Sequence, residues 1–517
     1  MFKKSFLILL ICCLGTAIYP QSYNILKFGA VSDGVTLNTK AIQKAIDSCA
    51  KTGGGTVYVP AGIFLTGTLE LRSNINLCLE NGAELKGSPY MSDYKKYQSP
   101  HATEISYYGV LITSNCENIS ITGQGAINGN EEAFFEWDKA KSIEWGGTKY
   151  TRQKEKFREV PSGIGDGPVV PKERPRQMII FSGCKNVQLS NVMIIKSPFW
   201  ALHFADCDGV MVHGIKLWNN LLTPNSDGID ITSCSNVTIS DCDIRTGDDA
   251  IAITGYAYHF ELPGFGDLRH PSNNICISNC NLQSRSSGIR IGFIDQNSVR
   301  NIHISNVNIT NSNRGIGIFT RGEGSVENVT ISQVSIETRL HTGDWWGNGE
   351  PIHISTVPGE KDVKPGKIKN VTFRDVTCTG ENGILIYGCK ETPIEDIRFE
   401  NLTFKMIGSK LNATAGGNID LRGALGDKQL FESELSAFGA SNIKNLSLNN
   451  VTIDWNDADS EFFKYAMHIN DFTGVKLSGI SIIPSAPRKS KPAVFLENGL
   501  LLQTDLKKEQ FDHKNVK

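Results

Sequence analysis

The stretch NSDGIDITSCSNVTISDCDIRTGDDAIAIT, residues 225 to 254, contains the pattern that decides the fold. Two of its segments, DGIDI from Asp227 and DAIAI from Asp249, share the same alternation of small or polar residues with branched apolar ones. Alternation with a period of two indicates short β-strands that bury one face. Between them, Gly, Asn, Ser and Asp provide turn signals around a further strand pattern, SNVTISDCDI. The stretch therefore indicates one repeating unit of strands and turns.

The unit recurs along most of the chain. Its first apolar position falls at Val187, Val210, Val237, Ile275, Ile302, Val329, Val371 and Ile397. The steps between these positions are 23, 27, 38, 27, 27, 42 and 26 residues. A unit of roughly 23 to 27 residues with occasional insertions is typical of one coil of a parallel β-helix. We therefore expect an all-β solenoid that forms a single domain over residues 22–517.

A second strand in each unit brings acidic residues together. These strands begin as WALHF at Trp200, DGIDI at Asp227, DAIAI at Asp249, SGIRI at Ser287, RGIGI at Arg314, EPIHI at Glu350 and NGILI at Asn382. Neighbouring coils of a parallel β-helix lie about 5 Å apart. Asp227 and Asp249 are therefore expected to be neighbours, with Asp248 beside them.

Three interpretations of this acidic cluster are open. Aspartates are common in solenoid turns, because their side chains bond the nearby backbone. Three carboxylates in adjacent coils would nevertheless repel one another unless they bind a cation, such as calcium, or hold a proton. Close carboxylates with separated pKa values also supply the acid and the base that acetal hydrolysis needs. We favour catalysis by Asp227, Asp248 and Asp249, with no metal and no cofactor.

The first 21 residues, MFKKSFLILLICCLGTAIYPQ, combine two lysines with an apolar stretch and a polar exit. This pattern predicts a secretory signal and export to the periplasm or the extracellular space. Cys12 and Cys13 raise lipidation as an alternative, which is disfavoured because neither follows a small residue. No later segment is long and apolar enough to span a membrane. A net charge of −2 without a long basic run disfavours nucleic acid as a partner.

Eleven cysteines follow the predicted signal, scattered through strand-like segments. Most are expected to be small buried hydrophobic residues. Cys276 and Cys280 are too isolated from other cysteine or histidine pairs to form a zinc site. One or two disulfides remain possible in an exported protein.

One helix precedes the repeats. Residues 39–51, TKAIQKAIDSCAK, follow Asn38, a residue type that favours helix N-termini. Their apolar positions recur at helical spacing, at Ile42, Ala45, Ile46 and Cys49. We expect a helix here that caps the N-terminal end of the solenoid.

Three segments are too long to be simple turns, namely 131–178, about 254–272, and 338–349. Long loops on a rigid scaffold commonly build a binding cleft. The first segment contains Trp137, Trp145 and Tyr150, and it could block one end of the groove. This would favour trimming of chain ends over internal cleavage, a choice that the sequence leaves open.

The chain resembles glycoside hydrolase family 28, the polygalacturonase and rhamnogalacturonase family of pectin-degrading enzymes. The resemblance rests on the segment from NILKFGAVSDGV at Asn24 to ELKGS at Ser88, and on RPRQMIIFSGCKNVQLSNVMIIKSPFWALHF, residues 174–204. It implies a single-stranded right-handed parallel β-helix of the pectate-lyase-like type, and inverting hydrolysis of a galacturonate-containing polysaccharide. The family's Asn-Thr-Asp motif corresponds to Asn225-Ser226-Asp227, and its paired aspartates correspond to Asp248-Asp249. The resemblance implies that Asp248 is the general acid, while Asp227 and Asp249 activate water.

Two departures from the family pattern affect the expected substrate. The Gly-His-Gly motif of polygalacturonases falls on Ser286-Ser287-Gly288, which lacks the histidine. Their Arg-Ile-Lys motif falls on Gly317-Ile318-Phe319, which lacks both cations that hold a galacturonate carboxylate. Rhamnogalacturonan, or another glycan that is not homogalacturonan, is therefore an alternative substrate.

Candidate substrate-binding residues surround the aspartates in the predicted alignment. They are Asn225, Arg290, Arg321, Trp200, Trp345 and Trp346. Arg290 lies one coil before Gly317 and could replace the missing arginine for a sugar carboxylate, or could pair with a neighbouring aspartate instead. The tryptophans could stack on sugars, or could anchor loops in the core. Arg321 and Arg314 are weaker candidates of the same kind, and His203 and His353 are expected to be structural histidines in one column.

Two functions of other classes remain open. A polysaccharide lyase would use calcium at the aspartates and Arg290 as its base. A non-catalytic carbohydrate-binding solenoid would keep the groove without chemistry. The expected partner is an acidic, plant-type polysaccharide or oligosaccharide. The protein is expected to be a monomer.

Overall fold

The structure is a computed structural model. It describes residues 22–98, 105–142, 148–160, 162–255, 270–458, 461–483 and 493–517. The predicted signal, residues 1–21, lies outside the described residues and stays a prediction, as does export. The same holds for most of the predicted loop 254–272 and for Trp145. Within the described residues, no helix is long and apolar enough to cross a membrane.

The predicted parallel β-helix is confirmed. Its coils have three faces, and each strand pairs in parallel with the strand one coil before it and the strand one coil after it. One face, called here the cleft face, consists of Leu69–Glu70, Leu111–Ser114, Ile179–Ser182, Leu202–Ala205, Ile229–Thr232, Ile251–Thr254, Ser287–Ile291, Arg314–Thr320, Glu350–Thr356 and Ile384–Tyr387.

The other two faces start as separate strands and merge in later coils. The second face begins with Ser22–Asn24, Gly55–Val59, Ile75–Leu79, Glu117–Gly123, Lys185–Ser190, Asp208–His213 and Ser235–Ser240. The third begins with Asp33–Leu37, Gly62–Thr66, Ala83–Gly87, Ala126–Asn128, Met193–Ile195, Lys216–Trp218 and Asp243–Thr246. Single bent strands then cover both faces, at Ser272–Ser284, Val299–Ser312, Val326–Thr338, Ile368–Gly380 and Ile394–Met406.

The C-terminal coils are the most regular. Leu435–Asp454 and Phe463–Ile483 run around all three faces, and Val494–Thr504 and Phe511–Val516 complete the solenoid. Three antiparallel pairs lie outside the coils: Lys96–Gln98 with Ile105–Tyr107, Phe135–Ala140 with Val169–Pro171, and Asn418–Asp420 with Leu430–Glu432. Short 3-10 turns occur at Ile25–Phe28, Met91–Asp93, Glu131–Phe134, Thr148–Tyr150, Lys154–Lys156, Gly426–Lys428 and Lys508–Gln510.

The register predicted from the repeats is confirmed in every coil that was aligned. Val187 pairs with Val210, and Val210 with Val237, and the same column continues to Ile397. These side chains are almost fully buried and stack along the axis of the solenoid. Burying a valine or isoleucine side chain stabilises the fold by about 1.5–3 kcal/mol. The repeat period thus fixes the register, because a shifted coil would expose this column.

A ladder of asparagines forms one corner of the solenoid. The amide of Asn328 donates to Asn301 Oδ1 at 3.0 Å, and that of Asn370 donates to Asn328 Oδ1 at 2.8 Å. These residues have positive φ angles close to +57°, a left-handed conformation that asparagine tolerates better than most residues. The asparagines that recur at this corner of the coils, such as Asn328 and Asn370, therefore have a structural cause.

The predicted helix spans Thr39–Lys51 and packs against the first coils through its buried residues Ile42, Ala45, Ile46 and Cys49. The prediction that Asn38 caps it through its side chain is wrong. Asn38 Oδ1 accepts from the amide of Val31 at 2.7 Å, so the side chain holds the preceding loop instead. Among the described residues, all eleven cysteines have free thiols, and the disulfides left open by the sequence are not formed.

Candidate active site

A groove runs along the cleft face. The floor is formed by residues that point away from the core, and their column runs through His203, Asp230, Ala252, Arg290, Gly317, His353 and Leu385. The predicted alignment of Arg290 with Gly317, and of both histidines with them, is confirmed. Loops that precede the strands form one bank, including 339–349 and 407–434, and loops that follow them form the other, including 292–298 and 357–367.

The three predicted aspartates meet in a cavity of about 500 Å³ in this groove. Asp227, Asp248 and Asp249 each offer one carboxylate oxygen within 4.8 Å of the others, and all three are buried. The amide of Gly228 donates to the carbonyl of Asp249 at 2.9 Å, as the coil alignment requires. The cluster therefore follows from the register of two adjacent coils.

Hydroxyl groups below the cavity hold the two acidic turns. Ser226 Oγ donates to the carbonyl of Thr223 and accepts from the amide of Gly247 at 3.0 Å. Ser284 Oγ donates to the carbonyl of Asp248 at 2.6 Å. The bonds from Gly247 to Ser226 and from Ser284 to Asp248 each join residues of different turns, so they fix the backbone beside the carboxylates.

Arg290 belongs to the acidic cluster. Its Nε donates to Asp249 Oδ2, and the amide of Ser287 donates to Asp249 Oδ1 at 2.9 Å. Both oxygens of Asp249 are therefore satisfied. Of the two alternatives for Arg290, the structure shows the pairing with a neighbouring aspartate, Asp249; Arg290 also lines the cavity, and binding of a sugar carboxylate stays a prediction. The positive charge of Arg290 stabilises the ionised form of the aspartate cluster.

Burial and mutual repulsion keep protons in the cluster. Burial, together with the charge of Asp249, raises the pKa of Asp248 to about 7. Burial, followed by the charges of Asp248 and Asp230, raises the pKa of Asp227 well above its usual range. One oxygen of Asp227 is buried without a hydrogen-bond partner among the described residues. The cluster can therefore hold a proton near neutral pH and can accept a hydrogen bond from a bound water.

The same three residues are the ones that could hold a divalent cation, since oxygen ligands suit calcium. Arg290 already supplies positive charge to them. The interpretation as a lyase base is disfavoured: burial lowers the pKa of Arg290, but the charge of Asp249 and its hydrogen bond outweigh this and raise it. A guanidinium held in its charged form is a poor base.

The sequence reasoning missed two further carboxyls. Asp230 lies in the floor column next to the cluster, and burial raises its pKa well above the usual range. Asp295 lines the cavity from the following bank, and burial raises its pKa to about 7. The alternation in DGIDI signals that Asp230 points outward. No sequence signal marks Asp295, because it lies in a loop.

The buried arginines that line the cavity differ in whether they form an ion pair with a described residue. Arg314 pairs with Glu350 at 2.7 Å, and Arg422 pairs with Asp344 at 2.8 Å and with Asp420 at 2.9 Å. Arg321 forms no ion pair with any described residue. It donates to Ser355 Oγ at 2.8 Å and to the Ser355 carbonyl at 3.0 Å, and its Nε has no described partner. Buried charges are normally paired, so this guanidinium is available to an anion.

The predicted tryptophans do not all reach the cavity. Trp200 and Trp346 line it and are half-buried. Trp345 is 2% exposed, and its ring nitrogen donates to the carbonyl of Asp166 at 3.1 Å. The prediction that Trp345 contacts sugar is corrected for this reason: its ring anchors the 339–349 loop against the insertion.

Asn225 lines the cavity with its backbone in the left-handed region, at a φ of 54°. Its Oδ1 accepts from the guanidinium of Arg174 at 2.9 Å, and Arg174 also donates to the carbonyl of Pro224 at 2.8 Å. The two predicted structural histidines are buried, and burial lowers the pKa of His203 to about 3 and that of His353 to about 4. Neither histidine is charged at neutral pH.

A hairpin that the sequence did not indicate crosses the groove. It is formed by Asn418–Asp420 and Leu430–Glu432 with the residues between them, and is called here the crossing hairpin. Arg422 holds it to Asp344 on one bank, and the amide of Leu425 donates to the carbonyl of Pro358 on the other at 2.9 Å. Its apolar residues cover the floor, with Leu421 and Ala424 packed with Val357 and against Leu385 and Tyr387. The groove is therefore closed on the C-terminal side of the cavity.

No described residue of the insertion 131–178 lines the cavity, and its expected place across one end of the groove stays a prediction. Arg152 and Gln153 bond the backbone of the 412–417 segment, and the buried guanidinium of Arg158 donates to the carbonyl of Trp345 at 2.7 Å. The insertion thus runs along the preceding bank and supports the crossing hairpin. Sequence spacing could not show this, because contacts between distant loops leave no periodic signal.

Fold and site together define a class: a right-handed parallel β-helix with a carboxylate-lined cavity on one face. Two solved structures share this fold. An exopolygalacturonase from Thermotoga maritima has a TM-score of 0.61 at 23% identity, over 84% of this chain and 93% of that one. A family 28 exopolygalacturonase from Yersinia enterocolitica has a TM-score of 0.65 at 20% identity, over 89% of this chain and 78% of that one.

The family follows from the sequence match. Residues 164–418 match glycosyl hydrolases family 28, and the matched stretch includes the three aspartates and Arg321. A probable polygalacturonase from Vitis vinifera is 31% identical over 244 residues, which are 45% of this chain and 44% of that protein. The chain spans about half the length of the curated relatives that it matches. The match identifies residues 164–418, which include the acidic cluster, as a glycoside hydrolase family 28 region.

Proposed function

We propose that this protein hydrolyses a glycosidic bond in a pectic, galacturonate-containing polysaccharide. One observation carries the proposal: three carboxylates within 4.8 Å of one another share a cavity with the buried guanidinium of Arg321. The carboxylates supply the chemistry, and the guanidinium supplies a partner for an acidic sugar. The similarity to proteins named polygalacturonase and exopolygalacturonase supports the choice of substrate.

In the proposed mechanism, Asp248 is the general acid. It donates its proton to the glycosidic oxygen as the bond from that oxygen to the anomeric carbon breaks. Asp227 and Asp249 hold a water molecule, and Asp227 takes the proton from this water as its oxygen bonds the anomeric carbon. The reactive form has Asp248 protonated and Asp227 ionised. Arg290 helps the cluster to carry the negative charge of this form, because its charge lowers the pKa of Asp227 and of Asp248 alike.

We propose that the reaction inverts the anomeric configuration, as the family resemblance implies. With Asp248 as the acid, the other two carboxylates remain to hold the water. Arg290 and Ser287 hold Asp249 in place, which suits Asp249 to orient water rather than to attack the sugar. The separation is short for inversion, because inverting enzymes ordinarily place the two carboxyls about 6.5–9.5 Å apart. Nuclear magnetic resonance of the first-formed product therefore has to decide between inversion and retention.

Arg321 is proposed to bind the carboxylate of a galacturonate residue. The two cations of the polygalacturonase motif are absent here, because positions 317 and 319 are glycine and phenylalanine. The buried guanidinium of Arg321 can instead pair with the carboxylate of an acidic sugar. Trp200 and Trp346 flank the cavity and offer apolar surfaces to the sugar rings. A rhamnogalacturonan would also fit this site, because the site needs only one acidic sugar near the cleaved bond.

We also propose that the enzyme trims chain ends. The crossing hairpin contacts both banks and covers the floor, so a long polymer cannot pass straight along the groove. A closed groove admits the end of a chain but not its middle. The names of several relatives, which include exopolygalacturonase and exo-poly-alpha-D-galacturonosidase, agree with this choice.

The test is a product assay on homogalacturonan, rhamnogalacturonans I and II and neutral glycans, following reducing ends and ultraviolet absorbance together. Wild type should release reducing ends without absorbance from an acidic glycan. Asp248→Asn should lower the rate by about 10² to 10⁴, the usual contribution of general acid catalysis. Asp208→Asn, the same change at an exposed position on the second face, is the matched control and should retain full activity.

Two results would contradict the proposal. Absorbance that a chelator abolishes would assign the protein to the lyases. An Asp248→Asn variant that binds the glycan and releases products at the wild-type rate would remove the catalytic role of the cluster.

A further inference from the structure

A second groove lies beyond the crossing hairpin on the same face of the solenoid. It has a volume of about 790 Å³ and is called here the distal groove. Its floor is formed by Leu385, Gly439 and His468, and it continues to Phe495. His353 and Asp420 line both the catalytic cavity and the distal groove, so the two share a wall at the crossing hairpin.

The floor of the distal groove is deepened by a missing side chain. An added Cβ at Gly439 would meet nothing closer than the carbonyl of Ile384, at 3.9 Å. Leu385 and His468, on either side in the column, are both half-buried. Neither backbone strain nor crowding therefore requires a glycine at this position. The space above Gly439 is accessible to a ligand.

Half-buried aromatic rings flank this low point. On one side, the rings of Tyr465 and Phe495 stack with centroids 5.1 Å apart, and His468 lies 5.3 Å from Phe495. On the hairpin side, Tyr387 and Phe431 meet at 6.4 Å. Aromatic walls with a few polar groups are the usual lining of small-molecule sites. Ser441 Oγ provides one such group: it is buried, lines the groove and has no described hydrogen-bond partner.

The charges of the distal groove indicate a neutral ligand. No arginine is among its described lining residues, and its three lysines, Lys390, Lys464 and Lys514, are exposed. Five carboxylates also line it: Glu350 and Asp420 are paired with Arg314 and Arg422, and the other three are Glu434, Asp471 and Glu497. An acidic sugar would therefore find no buried cation here, in contrast to Arg321 in the catalytic cavity.

We propose that the distal groove binds uncharged sugar residues, so that the protein holds a neutral glycan segment next to the cavity that takes the acidic one. The choice of a pectic polymer rests on the proposed function, whereas binding of a neutral glycan does not. Neutral side chains of pectin, such as β-1,4-galactan and α-1,5-arabinan, have the required chemistry.

The test measures binding by calorimetry in the Asp248→Asn protein, with oligomers of β-1,4-galactan, α-1,5-arabinan and homogalacturonan as probes. A neutral oligomer should bind. Gly439→Leu, which fills the low point, and Phe495→Ala, which removes the aromatic wall, should each weaken this binding about tenfold or more. Tyr90→Ala removes an exposed aromatic ring elsewhere on the solenoid and is the matched control. Thermal unfolding of each variant verifies that it is folded.

The outcomes separate this inference from the proposed function. It is overturned if no neutral oligomer binds, or if binding is unchanged in both Gly439→Leu and Phe495→Ala. If neutral binding responds to these variants while no acidic glycan is cleaved by the wild type, the inference stands and the proposed function fails. Binding of the acidic oligomer should respond to Arg321→Met and not to Gly439→Leu.

Discussion

The hydroxyl of Ser226 accepts a hydrogen bond from the amide of Gly247 at 3.0 Å, and this bond joins the turn before Asp227 to the turn before Asp248. Gly247 has no room for a side chain, because an added Cβ would lie 2.1 Å from the carbonyl oxygen of Thr223. The distance between two carboxylates of the cluster thus depends on a serine that lies beneath them. Ser226 is a positioning residue in this arrangement.

Replacing Ser226 should separate positioning from folding. Ser226→Ala removes the acceptor for Gly247 and should lower stability by about 1 kcal/mol. It should also lower kcat by about 10- to 100-fold, because small displacements of catalytic groups are costly. Ser226→Thr keeps the hydroxyl and should retain most of the activity. Steady-state kinetics and urea unfolding of both variants provide the measurement, and full activity of Ser226→Ala would show that this bond does not set the carboxylate spacing.

Activity should decline as the pH rises through about 7. Asp248, the proposed general acid, has to be protonated, and burial with the neighbouring Asp249 raises its pKa to about 7. The alkaline limb of a kcat/KM profile should therefore lie near this pH. An alkaline limb above pH 9 would assign the proton to another group. Asp208→Asn should leave the limb in place.

Stability should also depend on pH, in a direction set by the same shift. A carboxyl has a pKa of about 3.9 in the unfolded chain. Because the folded pKa of Asp248 is higher, the folded state binds more protons between about pH 4 and pH 7, and the free energy of unfolding falls as pH rises through this window. Asp248→Asn should reduce this slope and be more stable than wild type at pH 8. Urea unfolding at pH 4, 5.5 and 8 tests this, and an unchanged slope would contradict it.

Arg321→Met should weaken binding of acidic glycans. Arg321 is 1% exposed and has no ionic partner among the described residues, so its replacement breaks no ion pair with them, although it removes the hydrogen bonds to Ser355. We expect KM for an acidic substrate to rise about tenfold or more with a smaller change in kcat, since a charge-assisted hydrogen bond contributes about 1.5–3 kcal/mol. Arg374→Gln, at an exposed arginine paired with Glu400, is the control. An unchanged KM would mean that a residue other than Arg321 binds the substrate carboxylate.

The crossing hairpin can be loosened by removing one donor. Leu425 has a φ of −74° and a ψ of 135°, which proline can adopt, and its amide donates to the carbonyl of Pro358 across the groove. Leu425→Pro should raise the share of internal cuts, measured as the fall in viscosity per reducing end released. Leu425→Ala keeps the donor and should resemble wild type. Equal product patterns for Leu425→Pro and wild type would mean that this contact does not close the groove.

Much of the site could be predicted from the sequence. Once the coils were aligned by their apolar residues, Asp227 had to lie beside Asp249, and Arg290 had to lie one coil before Gly317. The alternation within DGIDI also contained the position of Asp230, although its burial in the groove was not predicted. These relationships are local, because they depend only on strand period and on the stacking of successive coils.

Contacts between loops were decided by the tertiary structure alone. Three features depend on which side chains the loops bring together: the pairing of Arg290 with Asp249, the burial of Trp345, and the lack of an ionic partner for Arg321 within the described part of the chain. The crossing hairpin joins residues 422 and 344, which are 78 positions apart in the chain. The sequence by itself thus determined the coil register and the acidic cluster, because a solenoid repeats one local rule. The closed groove and its unmatched cation required the folded structure, because no periodicity constrains the path of an insertion.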